Sequence, residues 1–234
     1  MKTISIWSDY ACPYCYIGEK RLMDAIRELG VEDEIEITYR SFELDPDAPI
    51  KPSGTTVEKI AAKYGLSLEE AEKRVKGIDE LGRDLGIDFR FATAKSSNTF
   101  DAHRLMKFVE TQYEKAVVDA LNFALFDAYF TKNQVLSDRK LLMKLAEEVG
   151  VDPVQAHDVV ESDLYADQVR YDEKEAAMRG IHGVPYMLFD GEFAVPGAIS
   201  TEDCKTVIRE LLSKKKENPE KFDAKSCDEN GCRI

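Results

Sequence analysis

Two cysteines, Cys12 and Cys15, flank Pro13 and Tyr14 near the start of the 234-residue chain. Thiols at that spacing suit one of two chemistries. One is thiol–disulfide exchange, in which a thiolate attacks a disulfide sulfur and a second thiol resolves the mixed disulfide. The other is half of a structural zinc site, which takes about four ligands. The only other close pair among the five cysteines, Cys227 and Cys232, lies at the far end of the chain. The flanking residues favour exchange. Lys2 to Trp7 alternates, with Ile4 and Ile6 on one side, as a strand does. Leu22, Ala25, Ile26 and Leu29 then recur at helical spacing, and Gly30 closes the run. Cys12 therefore falls where a first strand turns into a first helix. Unpaired N–H groups and the positive end of the helix dipole stabilise an anion there, and the thiolate is the reactive form. Pro13 suits a first helical turn, where its missing N–H would have no partner. Cys15 sits about one turn deeper, placed to resolve.

The elements that must hold this pair follow along the chain. Glu34 to Tyr39 reads as a second strand with Ile35, Ile37 and Tyr39 on one face, so residues 1–45 form a βαβ unit. Prolines 46, 49 and 52 break the pattern. From about 55 to 178 nearly everything is helical. Ser67-Leu68-Glu69-Glu70 is a capping box. Thr99 to Glu110 and Tyr113 to Phe130 form two long amphipathic helices. Asp138 or Ser137 caps Arg139 to Val149, Asp152-Pro153 opens another helix, and Ser162 or Asp163 opens the last, which runs to Gly180. Strand signals return at Val184 to Phe189 and Phe193 to Val195, joined by the turn residues Asp190-Gly191. Ser200 and Asp203 cap a helix over Thr201 to Leu212. The expected division is 1–50 and 179–213 as two halves of one α/β domain, 51–178 as a helical insertion, and 214–234 as a polar tail.

Together the strand, C-P-x-C and helix resemble the thioredoxin superfamily. Ser8-Asp9, followed by Cys12-Pro13-Tyr14-Cys15-Tyr16-Ile17-Gly18, resembles the DsbA-like branch of FrnE-type oxidoreductases. Three later stretches agree: Arg40-Ser41-Phe42-Glu43-Leu44, Asn98-Thr99-Phe100-Asp101-Ala102-His103-Arg104-Leu105, and His182-Gly183-Val184-Pro185. The resemblance implies an α/β thioredoxin-like fold with a large all-helical insertion. It also implies a protein disulfide oxidoreductase in which Cys12 attacks and Cys15 resolves. Its cis Val184–Pro185 bond would face the cysteines, with the Val184 backbone pairing to an extended substrate. A trans bond is the commoner state of X–Pro. The resemblance sets His103 near the cleft and makes Cys227 and Cys232 a second redox pair; their spacing alone fits two free thiols in a tail equally well. Tyr14 and Tyr16 are expected at an apolar rim for substrate peptides, Trp7 and Tyr10 as core and loop wall, and Cys204, in a stripe with Val207, Ile208 and Leu211, as a buried inert thiol. His157 and His182 carry no strong case.

Composition bounds the rest. With 44% hydrophobic residues the chain can bury a sizeable core. Its formal charge of −13 is unsuited to nucleic acid or anionic membrane by charge alone. There is no apolar run long enough to span a bilayer, and no charged leader with an apolar core precedes the first strand. The expectation is a cytoplasmic protein, where thiols stay reduced and a C-x-x-C marks redox chemistry. It would act on disulfide-containing or dithiol proteins, with glutathione or thioredoxin for recycling and with no cofactor or metal. Two rivals remain. One is a glutathione-dependent isomerase or transferase of the 2-hydroxychromene-2-carboxylate isomerase or kappa-class type, which presents a serine in place of Cys12 and lacks the second cysteine. The other is a polypeptide-binding chaperone.

Overall fold

The computed structural model describes residues 1–213. The tail and its pair Cys227 and Cys232 lie outside the described residues. Strand β1 (Lys2–Ser8) runs straight into helix α1 (Pro13–Leu29), and β2 (Ile35–Ser41) returns parallel to β1, from Lys2 opposite Ile35 to Ser8 opposite Ser41. Seven helices follow: α2 (Thr56–Tyr64), α3 (Leu68–Arg83), α4 (Phe100–Gln112), α5 (Lys115–Phe130), α6 (Arg139–Glu148), α7 (Pro153–Val160) and α8 (Ala166–Met178). Then β3 (Tyr186–Phe189) pairs antiparallel with β1, β4 (Phe193–Pro196) pairs antiparallel with β3, and α9 (Thr201–Ser213) closes the described chain. The sheet order is β2-β1-β3-β4. This is the α/β, thioredoxin-like arrangement with a helical insertion between β2 and β3.

Alternation along β1 separates two cores. Ile4 and Ile6 join Met187 and Phe189 against α1, α9 and the insertion helices, in a cluster containing Leu22, Ile26, Leu105, Phe126 and Ile208. Trp7 points to the other face, where it meets Ala176, Ile181 and Leu188. Its indole N–H donates to the Asp172 carbonyl at 3.1 Å. A third cluster, with Val57 and Ala61 against Ala71 and Val75, joins α2 to α3.

Local signals explain most boundaries. Gly30 ends α1 in the left-handed region, at φ 66°. Thr55–Glu58 and Ser67–Glu70 are both complete capping boxes; only the second is foreseen above. Asp190 and Gly191 take φ values of 51° and 74°, and the Glu192 N–H closes the turn on the Phe189 carbonyl. Several boundaries differ from expectation, three of them informatively. Tyr113 ends α4 and does not open α5, which starts at Lys115. Arg139's helix stops at Glu148, with Val149 as its C-cap. The last insertion helix begins at Ala166, not at Ser162 or Asp163, because Tyr165 holds φ at 64° and breaks the helical path there.

Candidate active site

Cys12 is the N-cap of α1, with extended backbone angles of −98° and 112°. Its carbonyl accepts the Cys15 N–H at 3.1 Å and the Tyr16 N–H at 3.4 Å, and its own N–H donates to the Asp9 carbonyl at 3.0 Å. Among the described residues no side chain caps this end, and no acidic residue occupies the first turn. The positive pole of the helix is therefore left to the thiol. Cys12 is 4% exposed and Cys15 0%. Burial pushes the Cys15 thiol well above its ordinary value, with the hydrogen bond to Cys12 and the charge of Cys12 adding to the effect. Both are free thiols.

The Val184–Pro185 peptide is cis, and the Cys12 thiol lies 3.5 Å from the Val184 carbonyl oxygen. The Gly197 N–H donates to the Pro185 carbonyl at 2.8 Å, tying this loop to the end of β4. Gly18 makes the approach possible. A Cβ there would come within 3.2 Å of the Pro185 ring and 3.3 Å of the Ala198 Cβ. Tyr14, between the two cysteines, is 45% exposed. Tyr16 is not at the rim. It is buried and stacks flat on Phe126 with centroids 5.0 Å apart, because it lies one turn into α1 and faces the insertion. A cleft of about 430 Å³, lined by Phe42, Glu43, Pro46, Ala177, Ile181 and His182, adjoins the Val184 loop.

Behind the thiols lies a buried polar web. The Asp9 carboxylate accepts the Ala11 N–H at 3.1 Å, the Leu44 N–H at 2.7 Å and the Thr99 hydroxyl at 2.9 Å. One side chain thus fixes the cysteine loop, the segment after β2 and the start of α4. His103 is 4% exposed, with its ring 5.0 Å from that of Tyr10 and its Nε2 3.6 Å from Asp9. It belongs to this inner web. Glu19, one turn below Cys15, is buried and accepts from the Ser8 hydroxyl and, at 2.6 Å, from the Asn122 amide. Asn122 in turn accepts the Tyr10 hydroxyl at 3.1 Å. Among the described residues no cation reaches Glu19, and burial lifts its carboxyl to about 7. The Tyr10 hydroxyl is also raised by burial and then by Glu19. Glu19 and Asn122 were not singled out from the sequence. The signal was there for Glu19, a lone carboxylate on the apolar stripe Cys15, Leu22, Ile26; Asn122 had no local signal at all.

The structure brings Cys12, Cys15, Val184 and Pro185 together, with Tyr14 exposed between the cysteines and His103 beneath. His182 lines the neighbouring cleft and His157 is exposed on α7. Cys204 is buried in α9, its thiol pushed up to about 11 by burial, as an inert core residue should be. Among the described residues no group of three or more His, Cys, Asp or Glu side chains could hold a metal ion, and no helix is long and apolar enough to cross a membrane.

In the family comparison, the DSBA-like thioredoxin domain matches residues 3–209. The chain belongs to this family. Among solved structures, the probable DsbA oxidoreductase SCO1869 from Streptomyces coelicolor superposes with a TM-score of 0.85 at 30% identity, covering 100% of this chain and 99% of that one. Among curated proteins, the uncharacterized protein YwbO of Bacillus subtilis (strain 168) is 27% identical over 214 residues, 91% of this chain and 98% of its own length. The 2-hydroxychromene-2-carboxylate isomerase of Sphingobium xenophagum is 24% identical over 195 residues, 82% of this chain and 90% of its own. The DSBA-like match makes this a chain of the DsbA-like thiol oxidoreductase family, and a solved 2-hydroxychromene-2-carboxylate isomerase shares its fold, with a TM-score of 0.66 at 16% identity over 90% of this chain and 96% of that one.

Proposed function

We propose that this DsbA-like protein is a FrnE-type disulfide oxidoreductase acting on polypeptides through Cys12 and Cys15. The observation that carries this reading is the Cys12 thiol at the uncapped start of α1, 3.5 Å from the Val184 carbonyl, with the buried Cys15 one turn behind it, its N–H donating to the Cys12 carbonyl. The Cys12 thiolate attacks one sulfur of a substrate disulfide. A Cys12–substrate bond forms and the other substrate sulfur leaves as a thiolate, which takes up a proton. Cys15 loses its proton and attacks the Cys12 sulfur, so the Cys12–Cys15 disulfide forms and the second substrate thiolate departs. Two electrons pass to the substrate, and the same steps in reverse oxidise a substrate dithiol. The raised Cys15 thiol keeps the resolving sulfur protonated until attack, which favours one nucleophile over two. An extended substrate lies along the Val184 backbone, with Tyr14 and the Phe42 cleft beside it.

In this reading the protein is cytoplasmic, glutathione or thioredoxin recycles it, and Cys227 with Cys232 serves as a second dithiol. Insulin-disulfide reduction by wild type and by Cys12→Ser tests the core of the proposal. Loss of reduction in the variant supports it. Equal reduction by both proteins would sink it, as would isomerase turnover with added glutathione that survives Cys15→Ser. Mapping cysteine pairing by mass spectrometry tests the tail; if Cys227 and Cys232 never join each other or Cys12, that part fails.

A further inference from the structure

A large opening on the described surface lies away from the thiols. It is a slot of about 820 Å³ at the outer edge of β2, walled by α4 and α5 on one side and α8 on the other. Parallel strands point the hydrogen-bonding groups of alternate residues to opposite sides. The Phe42 N–H donates to the Ser8 carbonyl, so even-numbered residues of β2 face β1 and odd-numbered residues face outward. The upper part of this edge is closed by side chains. Glu110 accepts the Tyr39 N–H at 2.7 Å, Lys107 donates to the Tyr39 carbonyl, and Asp172 accepts the Ser41 N–H at 3.0 Å. The closure stops there. No described residue hydrogen-bonds the outward N–H or C=O of Ile37, which is only half-buried. An open edge of this kind is a template for another strand.

Charge selects the occupant. Lys107 is held by Glu110 and Asp172, Arg40 by Asp172, and the Lys115 ammonium by the Glu32 carbonyl. The carboxylates of Glu32, Asp33, Glu36 and Asp167 line the same slot, exposed and without a cationic partner among the described residues. We propose that this slot is a docking site for an extended, lysine- or arginine-bearing polypeptide strand from another molecule, which pairs with Ile37 and sets its cations against these four carboxylates. A second copy of this chain is disfavoured, since symmetric pairing would oppose the same carboxylates to themselves.

The test uses the full chain and a short end-capped peptide alternating lysine and valine, read by fluorescence anisotropy and amide-resolved hydrogen exchange. Saturable binding is expected, with slowed exchange at the Ile37 amide. The double variant Glu36→Lys with Asp167→Lys, at exposed positions outside the packing, should weaken binding by about tenfold or more. A peptide N-methylated along its backbone should not bind. Binding unchanged by the charge reversal or by N-methylation would overturn the proposal. So would an Ile37 amide already protected without peptide, whether that protection rises with protein concentration, which would indicate a second copy, or vanishes in Lys214→Glu/Lys215→Glu/Lys216→Glu, which would indicate the chain's own continuation.

Discussion

Two of the protein's buried carboxylate sites are treated in opposite ways. Beneath the dithiol, Glu19 meets only neutral donors among the described residues, the Ser8 hydroxyl and the Asn122 amide. Beside β2, Asp172 meets Lys107 at 2.7 Å and Arg40 at 2.9 Å, and Glu110 meets Lys107 at 2.9 Å. Neutral hydrogen bonds offset only part of the cost of desolvating a charge, so Glu19 titrates near 7. Cationic partners supply the missing Coulombic attraction, and the β2 cluster works as a fixed clamp between β2, α4 and α8. The polar group left adjustable is the one beside the chemistry.

The largest expected effect comes from removing the attacking sulfur: Cys12→Ser should abolish insulin-disulfide reduction while leaving the unfolding midpoint close to wild type. If reduction persists, the redox pole is misassigned. Next, breaking the clamp with Lys107→Met leaves Glu110 without a cation among the described residues and Asp172 with Arg40 alone, and chemical denaturation should show a loss of about 3 kcal/mol or more. A loss under about 1 kcal/mol would mean the cluster is as dispensable as a surface pair.

A smaller effect separates the two regions by pH. Glu19 is raised from its ordinary 4.5 to about 7, so the folded state holds this proton more tightly than the unfolded chain. Its contribution is fully present below about pH 4.5 and is lost as pH rises through about 7, a fall of roughly 3 kcal/mol from about 1.4 kcal/mol per unit. Glu19→Gln should flatten that part of the stability–pH curve; an unchanged slope would show that another group carries it. Smallest of all, Cys204→Ala should leave exchange activity intact and cost about 1 kcal/mol in stability. A clear drop in activity would make Cys204 a third redox thiol.

Much of the fold was legible from local patterns. The alternation of β1, the stripe of α1 and the Asp190-Gly191 turn each depend on residues close in sequence, and the elements formed where those residues stand. Tyr165 was not legible, because a tyrosine at positive φ is held by its surroundings and announces nothing in the sequence. Tyr16 was misplaced for a related reason. Its type suits a rim or a core equally, and only the packing of α5 against α1 settled which.

By itself, the sequence determined that Cys12 and Cys15 stand where a strand becomes a helix, since spacing, Pro13 and the apolar periodicity are all carried within one short segment. Only the tertiary structure decided what surrounds those sulfurs. Val184 reaches Cys12 across 172 positions of chain, and Asn122 reaches Glu19 across 103. Contacts at such separations arise when distant elements bury their apolar faces together, and no local pattern encodes which polar groups that burial brings within hydrogen-bonding distance.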